Sequence, residues 1–548
     1  MKAKYFFSII ILIIFLAHPV YGQNILNRDV EVVKPYEPTL PEANKINLLP
    51  VPDDTLRQRP SFNYNIFSKR FDTEFQLRPI TAAKMLPQPI TKLYRGYIKA
   101  GLGTHYTPLL EVNVNSLRSK DYSLGFLFNH LSSQGKVTLD NDKRVFAGYS
   151  TNLVKAYGKK FFKKSLLSGS LGLDNEGVYD YGYNPGLDTS LSKGNIRQSF
   201  LDVNANAHYK TIYDSAQLNY DLGLNYDFFR DKNKNYENSI NLTGNFEKYF
   251  KHFLIKLDDE ISIYNKSAVG DSTTSSIIAI KPSIGQNNNG WGFRAGFGLY
   301  FENNDGTEIY FYPSAMFSYT FIDKFLTGYV GVDGSLQKNS YLRMASENQF
   351  IVPGLPVKNT SLLSAYFGLK GNLSSASSFD VRATFTSAGN MHFYVNDTTN
   401  QLGNLFNVVY DNPNIIDLSG EFITRPTTEI EVAAKANIYN YSLTKIDQPW
   451  HKQNFDLTLS GSYDMKDKII LKSDIFVIGK RYAEVFTPKA TSKELNSVVD
   501  VNLSMEYRYT KILSFFLHVN NLAASKYYQW NQYPSQRFNI MAGLTYAL

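Results

Sequence analysis

Residues 218–228 read LNYDLGLNYDF, a stretch in which large apolar residues alternate with Asn, Asp and Gly. Successive side chains of a β-strand point to opposite faces, so this strand would have one apolar and one polar face. Residues 201–210, LDVNANAHYK, repeat the pattern. Such segments run to roughly a dozen residues, whereas strands of soluble proteins average about five or six and a tilted membrane-crossing strand needs about 9–11. The pattern therefore predicts strands with lipid on one side and water or polar groups on the other.

The same pattern recurs from Leu93 to the last residue and divides into about twenty-two segments, from Leu93–Thr104 to Gln536–Leu548. Short and long joins alternate between the segments, as expected when one end of a barrel carries tight turns and the other carries loops. Two shorter runs, Met391–Val395 and Leu405–Tyr410, are interpreted as a surface excursion, because one more spanning strand would make the total odd. The predicted fold class is therefore all-β, a transmembrane antiparallel β-barrel of about 22 strands.

A barrel must close, because an open sheet edge in lipid leaves backbone groups without partners. We therefore expect the last strand to pair with the first strand near Tyr97–Gly103. The alternative fold is a secreted all-β protein with aromatic core strands, and the strand lengths and regular turns argue against it. Aromatic residues make up 15% of the chain, which fits the girdles at the two membrane interfaces of a barrel.

The first 22 residues have the features of a secretory signal peptide. Lys2 and Lys4 precede an apolar run, Phe6–Leu16, and we expect cleavage after Gly22. The apolar run is short for a spanning helix, although a retained anchor is the alternative. Export together with many amphipathic strands predicts the outer membrane of a Gram-negative cell, with lipid and the barrel-assembly machinery as partners.

Residues 23–91 form a separate, proline-rich leader before a barrel predicted over residues 92–548. Proline removes backbone donors and favours extended conformations, so we expect little regular structure in this periplasmic segment. Its aromatic residues suggest that it packs into the barrel mouth or binds a periplasmic or outer-membrane protein. A flexible leader without a docking role is the alternative. The prolines between Gln23 and Thr91 are Pro35, Pro38, Pro41, Pro50, Pro52, Pro60, Pro79, Pro87 and Pro89.

Composition excludes several chemistries. The absence of cysteine rules out disulfides, cysteine metal sites and a lipidated N-terminal cysteine. The formal charge of +8 is spread over turns and polar strand faces, which predicts no nucleic-acid partner. Neither a Gly-x-Ser-x-Gly nor a His-Glu-x-x-His motif occurs, and the histidines lack ligand spacing. The sequence therefore predicts neither catalytic, cofactor nor metal-binding residues, and the protein is not expected to be an enzyme.

The C-terminal region contains four short elements in succession: Val519-Asn520-Asn521-Leu522, Tyr527-Tyr528, Tyr533-Pro534 and Gly543-Leu544-Thr545-Tyr546. Together they resemble the closing hairpin of TonB-dependent outer-membrane receptors. The resemblance implies a barrel of twenty-two strands, in agreement with the count from the strand pattern. It extends to the barrel part only, since a plug domain of over a hundred residues is typical of that family and the leader here is shorter. The chain also ends in Leu548, where that family usually has an aromatic residue.

One short segment of the leader, Asp29-Val30-Glu31-Val32-Val33, is similar to the box through which such receptors contact TonB. A chance acidic and valine-rich stretch is the alternative interpretation. The resemblance implies solute passage or uptake across the outer membrane. The alternative function is a non-transporting barrel scaffold in an envelope-assembly or surface complex. A barrel this wide needs a filler, which we expect to be the leader, inward-folded loops or a partner.

Overall fold

The computed structural model describes residues 94–183, 191–214, 217–268, 271–304, 306–486 and 490–548. Within these ranges, one antiparallel sheet contains 22 strands, which confirms the predicted fold class. The expectations for the signal peptide, the cleavage after Gly22, the leader and the segment Asp29–Val33 lie outside the described residues.

The barrel strands are numbered β1 to β22 in chain order. The first half comprises β1 Gly96–Gly103, β2 Thr107–Asn115, β3 Tyr122–Ser133, β4 Tyr149–Phe161, β5 Ser165–Tyr179, β6 Arg197–Thr211, β7 Asn219–Asp231, β8 Tyr236–Phe250, β9 Phe253–Ala268, β10 Asp271–Asn288 and β11 Trp291–Asn303. The second half comprises β12 Thr307–Ile322, β13 Leu326–Gln337, β14 Thr360–Ser374, β15 Ser377–Gly389, β16 Asn414–Thr424, β17 Ile430–Ser442, β18 Phe455–Met465, β19 Ile469–Ile478, β20 Val498–Arg508, β21 Leu513–Asn520 and β22 Asn539–Ala547.

The sheet closes where the sequence predicts that it should. Strand β22 pairs antiparallel with β1, in a register that runs from Tyr97 opposite Ala547 to Gly103 opposite Met541. Each strand also pairs with the next one along the chain. Every barrel strand therefore has a hydrogen-bonded neighbour on each of its two sides. This arrangement provides the internal hydrogen bonds that backbone groups need in lipid.

The two faces of the wall follow the alternation in the sequence. On β7, the outward side chains Leu222 and Leu224 remain 40% and 45% exposed, as expected for residues that face lipid. On the inner face, Asn225 lies opposite Asn206 of β6 and opposite Asn241 of β8. A row of amides therefore lines the lumen at this level, and the predicted facing of Asn225 is confirmed.

Two predicted strand boundaries are wrong by several residues. The segment Lys143–Lys155 is predicted as one strand, but Arg144–Phe146 pairs with Lys136–Thr138 in a small separate hairpin, and β4 begins only at Tyr149. Likewise, Tyr213–Phe229 is predicted as one strand, but β7 begins at Asn219. At the first place alternation continues through residues that have left the wall, because a small hairpin shows the same period as a spanning strand.

The two ends of the barrel differ in their connections. One end, here named the turn end, has tight joins such as 251–252 and 375–376. The other end, the loop end, has joins as long as 338–359 and 390–413. Within the second of these, Met391–Asn396 pairs with Phe406–Asp411 as a separate two-stranded sheet, so the predicted excursion from the wall is confirmed.

The facing of β7 gives a direct test of the register. Leu222→Arg should reduce assembly more than Asn225→Arg, because an arginine facing lipid near the midplane costs about 2–4 kcal/mol whereas one facing the lumen stays solvated. The measurement is the folded fraction of each variant from heat-modifiable gel mobility. Equal folded fractions for the two variants would contradict the assigned register.

Candidate functional site

Seven joins at the loop end pack together into a structure that we name the cap. It consists of the described residues of 134–148, 180–196, 338–359, 390–413, 443–454, 479–497 and 521–538. Its central apolar cluster combines cap residues with the loop ends of several barrel strands. The buried members are Val178, Phe200, Phe229, Tyr341, Met344, Ala345, Ile351, Leu355, Tyr394, Phe406, Val408 and Tyr533.

The cap crosses the mouth of the barrel, as three aromatic rings demonstrate. Tyr181, Phe350 and Tyr533 belong to the joins β5–β6, β13–β14 and β21–β22, respectively. The ring centroids of Phe350 and Tyr533 lie 3.7 Å apart, and that of Tyr181 lies 4.9 Å from Tyr533. Eight strands separate the first of these joins from the second, or about 38 Å of wall at about 4.8 Å per strand. The rings can meet only because the loops extend inward over the opening.

A short helix, α1 (Tyr341–Glu347), forms part of the cap. Ser340 caps its N-terminus, where the side-chain oxygen accepts a hydrogen bond from the backbone N–H of Arg343. Tyr341, Met344 and Ala345 lie on one face at spacings of three and four residues and are buried. The helix therefore forms because one face covers the apolar cluster. No helix in the described part of the chain is long and apolar enough to cross a membrane.

The barrel wall also holds the N-terminus of α1. The carboxylate of Glu237 on β8 accepts hydrogen bonds from the backbone N–H groups of Tyr341, at 2.7 Å, and Leu342, at 3.3 Å. The hydroxyl of Tyr341 donates to Asp231 at the end of β7, at 2.9 Å. A carboxylate at a helix N-terminus is favoured by the unpaired N–H groups and by the helix dipole.

The C-terminal residue of α1, Glu347, connects two other loops. Its carboxylate lies 2.7 Å from Nε2 of His392 and 2.7 Å from Nζ of Lys452. Burial alone would raise the pKa of Glu347, but the hydrogen bond from His392 and the charge of Lys452 outweigh burial and lower the pKa to about 2. The ionised carboxylate therefore stabilises the closed arrangement of the three loops.

His451 joins three parts of the cap as a neutral side chain. Its Nδ1–H donates to the backbone oxygen of Tyr394, and its Nε2 accepts a hydrogen bond from the backbone N–H of Asn531. The side-chain amide of Asn531 in turn donates to Asn396, at 2.8 Å. Burial lowers the pKa of His451 to about 3, which is consistent with an unprotonated Nε2.

Two aspartates of the cap have opposite ionisation behaviour. The carboxylate of Asp411 is fully buried and accepts hydrogen bonds from the hydroxyl of Thr444 and from the backbone N–H groups of Thr444 and Lys445. Although burial opposes ionisation, these donors lower the pKa of Asp411. Burial raises the pKa of Asp180 to about 7, against the smaller effect of Lys232, and one of its carboxylate oxygens has no hydrogen-bond partner.

The sequence predicts the barrel wall but not the cap. The sequence correctly predicts that residues 391–411 are not part of the barrel wall. It did not predict that Phe393 and Tyr394 in this excursion are buried, with only 0% and 1% of their surface exposed. The missed signal was the aromatic content of the loops, including Phe350, Trp530 and Tyr533. In the described residues, no group of three or more His, Cys, Asp or Glu side chains could hold a metal ion.

Comparison with solved structures identifies the fold. The FrpB iron transporter of Neisseria meningitidis (F5-1 variant) superposes with a TM-score of 0.65 and 10% identity, over 83% of this chain and 83% of that one. The ferric-catecholate import receptor Fiu of E. coli K12, in a closed form, gives 0.62 and 9%, over 83% and 82% of the two chains. The pyoverdine receptor FpvA of Pseudomonas aeruginosa PAO1, bound to pyoverdine, gives 0.61 and 11%, over 84% and 79%.

The chain therefore has the barrel fold of TonB-dependent receptors, and the resemblance of its closing hairpin is confirmed at the level of fold. No protein-family model matches the sequence, and no curated protein matches it either. At this level of identity, the superposition establishes the architecture alone.

Glu347→Gln should loosen the cap, because the substitution leaves the partly buried ammonium of Lys452 without its anionic partner. We expect a loss of about 1–3 kcal/mol in cap stability. The chain has three tryptophans, so in a Trp291→Phe background the remaining two, Trp450 and Trp530, both lie in the cap. Acrylamide quenching of their fluorescence should increase in the variant.

Glu494→Gln is the matched control for this substitution. Glu494 pairs with Lys480 in the same cap, but their side chains are 40% and 55% exposed, and such pairs contribute little to stability. The control should leave quenching near the parent value. Equal quenching in the two variants would contradict a stabilising role for Glu347.

The pH dependence of cap stability should reveal two opposing groups. His451 stabilises the closed cap above its ordinary pKa of 6.5, and this contribution is lost as the pH falls towards 3. Asp180, whose pKa is raised from 3.8 to about 7, contributes most at low pH, and its contribution is lost as the pH rises towards 7. Between about pH 6.5 and 4 the two effects oppose each other, each by up to about 1.4 kcal/mol per pH unit.

Asp180→Asn removes one of the two opposing groups, so the pH dependence of cap stability should then reflect His451. In the Trp291→Phe background, acrylamide quenching of the variant should rise as the pH falls from 7 to 5. The parent should change less over the same range. Parallel pH profiles for the two proteins would show that the buried Asp180 does not offset His451.

Proposed function

We propose that this protein is an outer-membrane barrel that mediates the gated passage of a solute, with the cap as the gate. The observation that carries the proposal is the meeting of Tyr181, Phe350 and Tyr533 over the mouth. Below the cap, the inner wall presents polar side chains such as Asn206, Asn225 and Asn241. A polar lumen beneath an apolar closure fits a water-filled route that is interrupted at one end.

The contacts that hold the cap suit a gate because all of them are reversible. Hydrogen bonds and ion pairs connect its loops, and the chain contains no cysteine for a disulfide. Net contributions of such contacts are about 0.5–3 kcal/mol each, so a binding event of ordinary affinity supplies enough free energy to disrupt several. In this proposal the loop end faces the outside of the cell and the turn end faces the periplasm.

In the same proposal, the leader is the segment that recruits a partner protein. Residues 23–91, after cleavage of the signal peptide at Gly22, would lie in the periplasm and bind a periplasmic or outer-membrane partner. Asp29–Val33 would be the contact for TonB if opening is energised. Iron compounds named for the solved structures are cargo of those receptors, and we propose no iron compound for this chain.

Planar-bilayer conductance tests the gate. The variant replaces residues 391–411 by a short Gly-Ser link and thereby removes Tyr394 and Phe406 from the apolar cluster. A matched control replaces the small hairpin at 136–146, which contributes to a different cluster. Each is made with and without residues 23–91, so that obstruction by the leader is distinguished from closure by the cap.

We expect low conductance from the chain that lacks only the leader and a large increase when residues 391–411 are also removed. The control hairpin should have a much smaller effect. If loss of the leader alone gives the full conductance, the cap is not the barrier. If every variant stays closed, the non-transporting scaffold becomes the better interpretation.

A further inference from the structure

A cavity of about 690 Å³, which we name the niche, lies between the inner wall of β17–β20 and the underside of the cap. On the wall side it is lined by inward-facing residues, among them Tyr439 and Asp500. On the cap side it is lined by Tyr394, Arg481 and Trp530. Its volume is within the range of small-molecule binding sites, about 300–1,000 Å³.

The niche combines aromatic surfaces with groups that lack a hydrogen-bond partner. The side chain of Arg481 is buried, with the residue only 4% exposed, and its terminal nitrogens donate to the backbone oxygens of Tyr528 and Gln529. Its Nε has no partner, and no carboxylate in the described residues forms an ion pair with it. A buried N–H without an acceptor is costly unless a ligand supplies one.

Asp500 provides the complementary acceptor. One of its carboxylate oxygens accepts a hydrogen bond from the hydroxyl of Tyr527, at 2.9 Å, while the other is buried without a partner. Two residues that line the niche therefore carry one unused donor and one unused acceptor. Hydroxyl groups suit both, because a hydroxyl can donate to Asp500 or accept from Arg481.

Charges of both signs line the niche, so it is not selective for an anion or for a cation. Lys452 is paired with Glu347, and Asp456 accepts a hydrogen bond from the side-chain amide of Asn437. An anion would meet the carboxylates of Asp456 and Asp500, whereas a cation would meet Arg481. A neutral ligand rich in hydroxyl groups avoids both repulsions, and the apolar faces of sugar rings suit aromatic side chains.

We propose that the niche binds a neutral oligosaccharide, with its hydroxyls on Arg481 and Asp500 and its rings against Trp530 and Tyr439. This inference rests on the proposed function, since it names the class of solute that would pass the barrel. A ligand in the niche contacts the cap and the wall together. Binding there therefore couples the presence of solute to the position of the cap.

The test is a fluorescence titration of the full-length protein in detergent, in the Trp291→Phe background. Of the two remaining tryptophans, Trp530 lines the niche and Trp450 does not, so occupancy of the niche should change the emission of Trp530. The probes are maltotriose, cellotriose and xylotriose, with triglycine as the zwitterionic alternative. We expect a saturable change with at least one trisaccharide and none with triglycine.

Asp500→Ala should lower the affinity for the responding trisaccharide by a factor of about ten or more, as expected when a buried hydrogen-bond partner is lost. Asp174→Ala is the matched control, because Asp174 lies on the inner face of β5 and likewise has a carboxylate oxygen without a partner, but it does not line the niche. The Asp174→Ala variant should bind the trisaccharide with the same affinity as the parent. Near-UV circular dichroism of both variants establishes that the fold is retained.

Three outcomes would overturn the proposal: no saturable response to any trisaccharide at millimolar concentrations, a response to triglycine instead, or equal affinity in the Asp500→Ala variant and the parent. Binding in detergent does not depend on passage through the barrel. If the niche binds sugar but removal of residues 391–411 leaves the conductance unchanged, the proposed gate is refuted and the proposed sugar site is not.

Discussion

The structure depends on one constraint, the need of every backbone N–H and C=O in lipid for an internal partner. A sheet satisfies it only by closing, so β22 must return to β1, and the register from Tyr97 to Gly103 is the place where it does. Closure then fixes the rest of the wall. Once one residue faces outward, alternation and the antiparallel registers assign a face to the other strand residues around the barrel, except at the register shifts near Ile322 and Ser374.

Closure also explains why a cap is possible. A closed ring of strands holds the ends of distant joins at fixed positions around one mouth, and loops long enough to cross it meet over the centre. Their apolar side chains, such as Phe350 and Tyr533, have no lipid to face at this height, so they bury against each other. The loops thus obtain a core that none of them could form alone.

The polar contacts of the cap show a division of roles. Contacts such as Glu237 with the N-terminus of α1 fasten the cap to the wall. Contacts such as Glu347 with His392 and Lys452 fasten loops to one another. Arg481 takes part in the cap through its terminal nitrogens, its Nε has no partner, and the residue also lines the niche. The same side chain therefore belongs both to the closure and to the surface beneath it.

The sequence by itself determined the wall: strand period, number, order and closure all follow from local alternation, and Leu222 and Asn225 face as the pattern predicts. It could not determine where alternation leaves the wall, as at Arg144–Phe146, because a small hairpin has the same period. Nor could it predict the cap. Tyr181, Phe350 and Tyr533 lie far apart in the chain and on joins six or eight strands apart around the barrel, so their meeting is a property of the closed ring. Local pattern determines a face, whereas contact between loops depends on where the tertiary structure anchors them.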